Sequence, residues 1–435
     1  MPSHAAAIEN ALPARLQAGR QRTDRLFRQV PATLLYDRPI PERHRIAFYI
    51  GHLETFDWNL LRGDDTRDDG LDALFAFGID PVDGALPADR PHDWPPPAEI
   101  ERYRRATRRK VDLRLAELMR THARDADDPE CSTRLHVAIE HRLMHAETLA
   151  YLLNRLPMPK APRAVAPPAR AVDGGMCAIP AGRATLGRDA RRDAGFGWDN
   201  EFPSLEVDVP TFEIDRYMVS NGEFLRFVDA GGYGEPRWWR ADDWQWRTRH
   251  GVEHPAAWHR RDGAWYVQSL LDLVPLPGDW PVYVSHAEAQ AYARWAGKQL
   301  PTEAQWHRAA YGTPHGGERA YPWGEAAPTA RHGRFDFAGW DPLPVDAHPA
   351  GDSAFGVGGL LGNGWEWTST PFAPFPGFRA LACYRGYSAD FFDGRHYVLK
   401  GGSAHTAAPL LRRSFRNWFQ PHYPYPFAGF RCVRS

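Results

Sequence analysis

A chain of 435 residues is too long for one ordinary hydrophobic core, so two domains is the starting expectation. Hydrophobic residues at 43% with 25% charged residues describe a globular protein and exclude a disordered one. The 53 Lys and Arg against 54 Asp and Glu leave a net charge of −1, so no overall field draws the chain to nucleic acid or an anionic membrane.

No apolar run approaches the ~20 residues of a membrane span. The first residues lack a basic stretch followed by an apolar one, so no signal peptide is expected. Cys131, Cys177, Cys383 and Cys432 are scattered without C-x-x-C spacing, which suits reduced, buried thiols and a cytoplasmic location. Aromatic residues reach 13%, with 17 Trp. At that density most must be structural, holding together a loop-rich fold by their bulk.

Residues 11–30, 45–61, 97–122 and 131–156 carry Leu, Ala, Arg and Glu at 3–4 spacing and predict four helices, an up-and-down bundle. The proline-rich loop 78–97 between the second and third is long enough to be a substrate-contacting segment. A second proline-rich stretch, 159–174, reads as a semi-rigid linker between a helical domain 1–158 and a second domain 175–435. There the texture changes to short apolar runs punctuated by Gly and Pro, with helices expected only at 217–230 and 285–311. The fold class is therefore multi-domain, α followed by α+β.

The strongest chemical signal is His141-x-x-x-His145-x-Glu147 in the fourth helix. Residues four apart share a face, so both imidazoles can address one metal. The stripe Ala138, His141, His145, Thr148, Leu152 makes this face an inward one. His52 lies mid-pattern in the second helix, and if the two helices are neighbours three imidazoles converge. Three neutral nitrogens with open positions suit catalytic zinc or iron, with Glu147 orienting a ligand ring rather than binding metal. The competing reading is that H-x-x-x-H arises by chance among 19 histidines on solvated helices.

Gly51-His52-Leu53-Glu54-Thr55-Phe56 followed by His141, His145, Glu147 and Thr148 resembles the DinB-type four-helix bundle of the ergothioneine sulfoxide synthases. The second half resembles the formylglycine-generating-enzyme/sulfatase-modifying domain, a C-type-lectin-like fold. Its motifs run in order at 179–182, 196–203, Leu300 to Glu303, Gly362 to Thr368, Gly401 to Ser403 and Ala428 to Arg431. The resemblance implies that His52, His141 and His145 bind Fe(II), that O2 is a co-substrate, and that the second domain completes the active site. It implies a carbon–chalcogen bond made at C2 of the imidazole of hercynine. Arg416-Asn417-Trp418-Phe419 resembles the family's substrate-binding stretch, with Asn417 and Trp418 candidates for the trimethylammonium end. Arg90, Met144 and Phe419 are further substrate-binding candidates. Phe372, Phe375 and Phe378 fill the segment where the family's tyrosine proton donor is sought, which leaves Tyr384 or Tyr387 as stand-ins. Gly362 to Thr368 reads as a structural turn, so Trp365 and Trp367 are not site residues.

Three departures bear on the donor. Asp83 stands where many members carry the first arginine of R-G-L-L-x-R-P, and only Arg90 survives. The stretch before it reads 75–81 in place of an N-S-Y-Y-like one, and Phe419 follows Arg-Asn-Trp where an acidic residue is frequent. A carboxylate at 83 repels a γ-glutamyl donor, whereas a neutral sugar needs neither charge. The chain thus looks like the selenoneine-synthase branch, which joins a selenosugar to hercynine. The alternative is an ergothioneine sulfoxide synthase using cysteine or γ-glutamylcysteine. No cysteine lies between Gly401 and Arg431, which argues against a copper-dependent formylglycine-generating oxidase. Two further readings are a DinB-type thiol transferase and a non-catalytic lectin-like binding module. The expected partners are small molecules, with no nucleic acid or membrane, in a monomer or weak homo-oligomer.

Overall fold

The computed structural model describes residues 11–62, 70–76, 88–122, 129–163, 172 and 174–435. Asp83, residues 77–81 and most of the proline-rich stretch after Met158 lie outside them. The chain divides into two compact units, Met1–Met158 and Pro159–Ser435.

The first unit is helical. Its described helices are α1 (Leu12–Phe27), α2 (Ile46–Leu61), the short α3 (Leu71–Phe75), α4 (Pro97–His122) and α5 (Pro129–Arg155). α1 packs on α5, and α2 packs on both α4 and α5. α2 is buried nearly all round, from Ile46, Ala47, Phe48 and Tyr49 through Leu53 to Leu60 and Leu61. A helix apolar on every side has to be the centre of its bundle. Its neighbour α5 buries Leu135, Val137, Ala138, Ile139, Leu149, Leu152 and Leu153.

Charges inside this core are paired. Arg142 of α5 is fully buried and donates to Asp57 Oδ2 at 2.6 Å, to Glu54 Oε2 at 3.3 Å and to the Leu53 carbonyl at 2.9 Å. Glu54 takes a second guanidinium, Arg108, at 2.7 Å. Burial pushes both carboxyls up; against it, Arg142 and Arg108 hold Glu54 below its ordinary range, while Asp57, beside the Glu54 charge, stays above it.

The second unit is α+β. Its described sheets have the orders β1-β8-β7-β6 (β1 Ala161–Pro162, β6 Trp258–Arg261, β7 Ala264–Gln268, β8 Asp272–Pro275), β11-β10-β9-β12 (β9 Gly364–Pro371, β10 Tyr397–Gly402, β11 Asn417–Phe419, β12 Ala428–Gly429), β13-β5-β2 (β2 Met176–Ile179, β5 Phe212–Asp215, β13 Val433–Arg434) and β3-β4 (β3 Gly182–Leu186, β4 Leu205–Val209). Ile179, Val209, Phe212, Trp306, Tyr311, Leu360 and Val433 form one core among them. The motif stretches hold this core by paired charges. Arg431 meets Glu366 at 2.6 and 2.7 Å, both buried, and Trp306 Nε1 donates to the same carboxylate. Gly362 to Thr368, expected as a turn, is strand from Gly364 on: Trp365 and Trp367 are buried in β9, with Trp367 Nε1 donating to the Val284 carbonyl.

Two helix expectations need correction. Residues 285–311 form not one helix but two, α8 (His286–Trp295) and α9 (Glu303–Tyr311). Gly297 takes a left-handed conformation at φ 66°, and Thr302 then caps a new helix by accepting from the Gln305 amide. The helix expected at 217–230 starts later, as α6 (Asn221–Asp229), because Ser220 and Glu223 form a capping box. Helix α7 (Ala241–His250) is an addition to the expected set. Gly297→Ala is expected to lose roughly 1 kcal/mol, since a left-handed backbone penalises a Cβ even where, as here, open space surrounds it. A urea midpoint unchanged from wild type would show the turn adapting.

Candidate metal centre

α2 and α5 bring His52, His141 and His145 together, all buried. One ring nitrogen of each lies within 4.8 Å of one from each of the others. Nε2 of His145 is 3.1 Å from Nε2 of His141. Two nitrogens bound to one ion at about 2.1 Å and a right angle lie about 3.0 Å apart, so this pair is already spaced as neighbouring ligands are. Among the described residues no other group of three His, Cys, Asp or Glu side chains meets in this way.

The tautomer of His52 follows from its partner. Nδ1 is 2.9 Å from the Phe75 carbonyl, which can only accept, so Nδ1 carries the proton and Nε2 keeps its lone pair. That Nε2 is buried and has no hydrogen-bond partner among the described residues. Burial favours the neutral form of all three rings: His52 is pushed down to about 4, and His141 and His145 fall well below their ordinary value. Neutral imidazoles with an orphaned lone pair are what a divalent metal takes as ligands, so the residues fit the metal. The walls are aromatic. Phe56 stacks on His141 with ring centroids 3.4 Å apart, and Phe48 stacks on His52 at 4.7 Å.

Glu147 is buried in α5, two residues beyond His145. On His52 the ring Nδ1 lies against the Phe75 carbonyl. Met144, half-buried in the same helix, lies between the two ligand histidines, and its carbonyl accepts from Thr148. Arg90 does not enter the buried cluster. Its side chain is 70% exposed and lies 3.6 Å from the Asp93 carboxylate. Its neighbour Asp89 accepts from Arg45 and Trp94 at 2.7 Å each and from Arg38. Burial raises the Asp89 carboxyl, and these bonds and charges outweigh it, so it sits below the ordinary range. Arg38, Arg45, Asp89 and Phe75 are additions to the residues singled out from sequence.

The other candidates lie in the second unit. Asn417, Trp418 and Phe419 form β11, paired antiparallel with Leu399, Val398 and Tyr397. Arg416 before them is clamped by Glu303 at 3.0 Å on both oxygens, which fixes where the strand starts. One face of the Trp418 indole is covered by Phe372, 4.2 Å away and nearly parallel, and Phe391 lies tilted against the same ring at 5.5 Å. Tyr387 joins Trp418 edge-on at 5.3 Å and stacks on Trp198 at 3.8 Å; Tyr384 is 5.6 Å from Tyr387. Phe419 turns to another partner, stacking on Tyr423 at 5.2 Å. Asn417 Oδ1 accepts from the Trp418 amide, leaving its amide nitrogen as the donor for other contacts.

Comparison with known proteins gives two family matches: the sulfatase-modifying factor enzyme 1-like domain over residues 162–435 and the DinB superfamily over residues 15–149. The chain is 40% identical over 316 residues to a hercynine oxygenase of Mycolicibacterium smegmatis, covering 71% of this chain and 72% of that protein. It is 38% identical over 400 residues to a hercynine oxygenase of Mycolicibacterium thermoresistibile, covering 88% and 85%. Ergothioneine biosynthesis protein 1 of Neurospora crassa is 27% identical over 495 residues, covering 93% of this chain and 55% of that protein. Among the described residues no helix is long and apolar enough to cross a membrane.

Proposed function

We propose that this chain, which belongs to the hercynine oxygenase family, is a non-haem Fe(II)- and O2-dependent enzyme forming a carbon–chalcogen bond at C2 of the hercynine imidazole. The observation that carries the reading is the buried triad of neutral imidazoles, His52, His141 and His145, which would hold the iron. Bound there, iron supplies the one-electron and O2 chemistry that no side chain can. In the reaction the C2–H and chalcogen–H bonds break and the carbon–chalcogen bond forms; O2 takes four electrons, one oxygen atom ending on the chalcogen as the oxide and the other leaving as water with the two protons released. The stacked rings of Phe56 and Phe48 exclude water around the triad. Trp418 would offer its indole to the trimethylammonium group, Asn417 its amide, and Tyr384 or Tyr387 a phenolic proton.

For the donor we propose a selenosugar. What supports an uncharged donor at the described part of the 78–97 loop is that the arginines there already have acid partners: Arg38 and Arg45 share Asp89, and Arg90 stands beside Asp93 in solvent. A donor carboxylate would compete with these acids for the arginines. The second reading, an ergothioneine sulfoxide synthase using cysteine or γ-glutamylcysteine, is favoured by the likeness to ergothioneine biosynthesis protein 1. A donor panel separates them. Hercynine, Fe(II) and O2 are incubated with a selenosugar, a thiosugar, cysteine or γ-glutamylcysteine, and the adducts are weighed by mass spectrometry. The selenosugar is expected to give adduct at least tenfold faster than either amino-acid thiol, about 1.4 kcal/mol of discrimination. Adduct with cysteine alone removes the selenosugar reading, and adduct with none removes hercynine chemistry altogether.

A further inference from the structure

The carbonyl that fixes the His52 tautomer belongs to α3, five residues long and too short to hold itself together. Phe75 is its last residue, so its carbonyl is one of the helix-end acceptors that no intrahelical amide reaches. Its position therefore depends on whatever ties α3 to the bundle, and three contacts do so. The Asp72 carboxylate, buried, accepts a hydrogen bond from the Tyr103 hydroxyl of α4. The same hydroxyl is 2.5 Å from Thr55 Oγ1 on α2, which is itself 3.1 Å from the Gly51 carbonyl. The Phe75 ring, fully buried, packs on the Tyr103 ring at 5.2 Å and lies directly over Gly51. A Cβ at Gly51 would come 2.4 Å from that ring, so the close approach exists only because position 51 has no side chain.

Gly51, His52 and Thr55 fall within one turn of α2, so the Phe75 ring directly, and Asp72 through the Tyr103 hydroxyl, seat α3 against the turn that carries His52. We propose that Tyr103 and Asp72 are positioning residues for His52: by pinning α3 to α2 and α4 they hold the Phe75 carbonyl where it takes the Nδ1 proton, leaving Nε2 as the metal-binding atom. The Nδ1–H···O=C bond also stops the ring from turning about its Cβ–Cγ bond. Neither residue touches the triad, and both act through a backbone atom. The inference rests on the reading of the triad as a metal centre, and its test is chosen so that the two can fail separately.

The test uses full-length protein prepared without metal. The tautomer of His52 is read by nitrogen NMR of 15N-histidine-labelled protein, with His52→Ala assigning the signal. Affinity is read by anaerobic calorimetric titration with Fe(II). Wild type is expected to show His52 protonated at Nδ1 alone. Tyr103→Phe, which removes both hydroxyl contacts, is expected to give a mixture of tautomers and to weaken Fe(II) binding by about 10- to 100-fold. Asp72→Ala, retaining the Tyr103–Thr55 contact, is the second variant should Tyr103→Phe not fold, with the same direction expected. Asp72→Asn, whose amide oxygen still accepts from Tyr103, is expected to restore affinity to within about threefold of wild type. A lower melting temperature with unchanged tautomer and unchanged Fe(II) affinity would make Tyr103 and Asp72 merely structural and overturn the proposal. Fe(II) binding by His52→Ala as tight as wild type would instead overturn the triad itself.

Discussion

Replacing His141 with alanine is expected to lower bound iron to less than about a tenth of the wild-type content and O2-dependent turnover by more than about 100-fold. Loss of a partner one shell out from a metal already weakens binding by 10–100-fold, and removing a ligand exceeds that. The site has no spare donor to substitute: among the described residues only these three metal-binding side chains converge. The ring is stacked on Phe56, so its removal opens space against an apolar wall, where water is a poor replacement for nitrogen. Iron is measured after anaerobic loading and desalting, and turnover by an oxygen electrode with hercynine and the chalcogen donor present. Full iron content, or undiminished O2 consumption, would remove the triad from the chemistry. An unchanged far-ultraviolet circular dichroism spectrum distinguishes loss of metal from loss of fold.

The second large effect is on stability. Arg142→Met keeps the length and apolar stem of the side chain but deletes the charge facing Asp57 and Glu54. Both carboxylates are buried, and Asp57 has no other cation closer than Arg20, 3.9 Å away, among the described ion pairs. Breaking one partner of such a pair costs about 3–5 kcal/mol, because the charge left behind has no water. For a unit of this size that is roughly 10 °C in melting temperature, read from the first calorimetric transition. Glu54 is cushioned by Arg108, so the loss is expected to be carried by Asp57. Arg142→Met with Asp57→Leu is then expected to recover most of the stability. A melting point lowered by less than about 2 °C in the single variant would mean that Asp57 is already neutral.

The part of this centre that sequence made legible is the part written in one helix. His141 and His145 share a face because they are four residues apart, and the apolar stripe through them showed which way that face looks. His52 required knowing that α2 and α5 are neighbours, which the spacing within either helix cannot tell. Phe75 was beyond reach, since its role is played by a backbone carbonyl 23 residues from His52, and five helical residues leave no periodic trace. Gly51 did stand beside His52 in plain view, but its meaning depends on the ring that crosses it. In the second unit, the short apolar runs and turns disclosed the α+β class. The single helix expected at 285–311 failed because its apolar spacing continues across Gly297, while a lone glycine does not announce its sign of φ. Arg90 drew notice as a matching cation, yet it stands exposed, while the acid before it, Asp89, accepts from Arg45 and Trp94.

The triad contains no thiolate and, among the described residues, no carboxylate, and its nitrogens are neutral and largely pre-placed. A site of three imidazoles ranks divalent metals by the Irving–Williams order, in which Fe(II) stands near the weak end and Cu(II), Ni(II) and Zn(II) all bind tighter. Such a polypeptide does not choose iron; the supply of metal around it chooses. Protein purified in air with ordinary buffers is therefore expected to carry zinc or nickel and to be inert, and stripping followed by anaerobic iron is what should wake it.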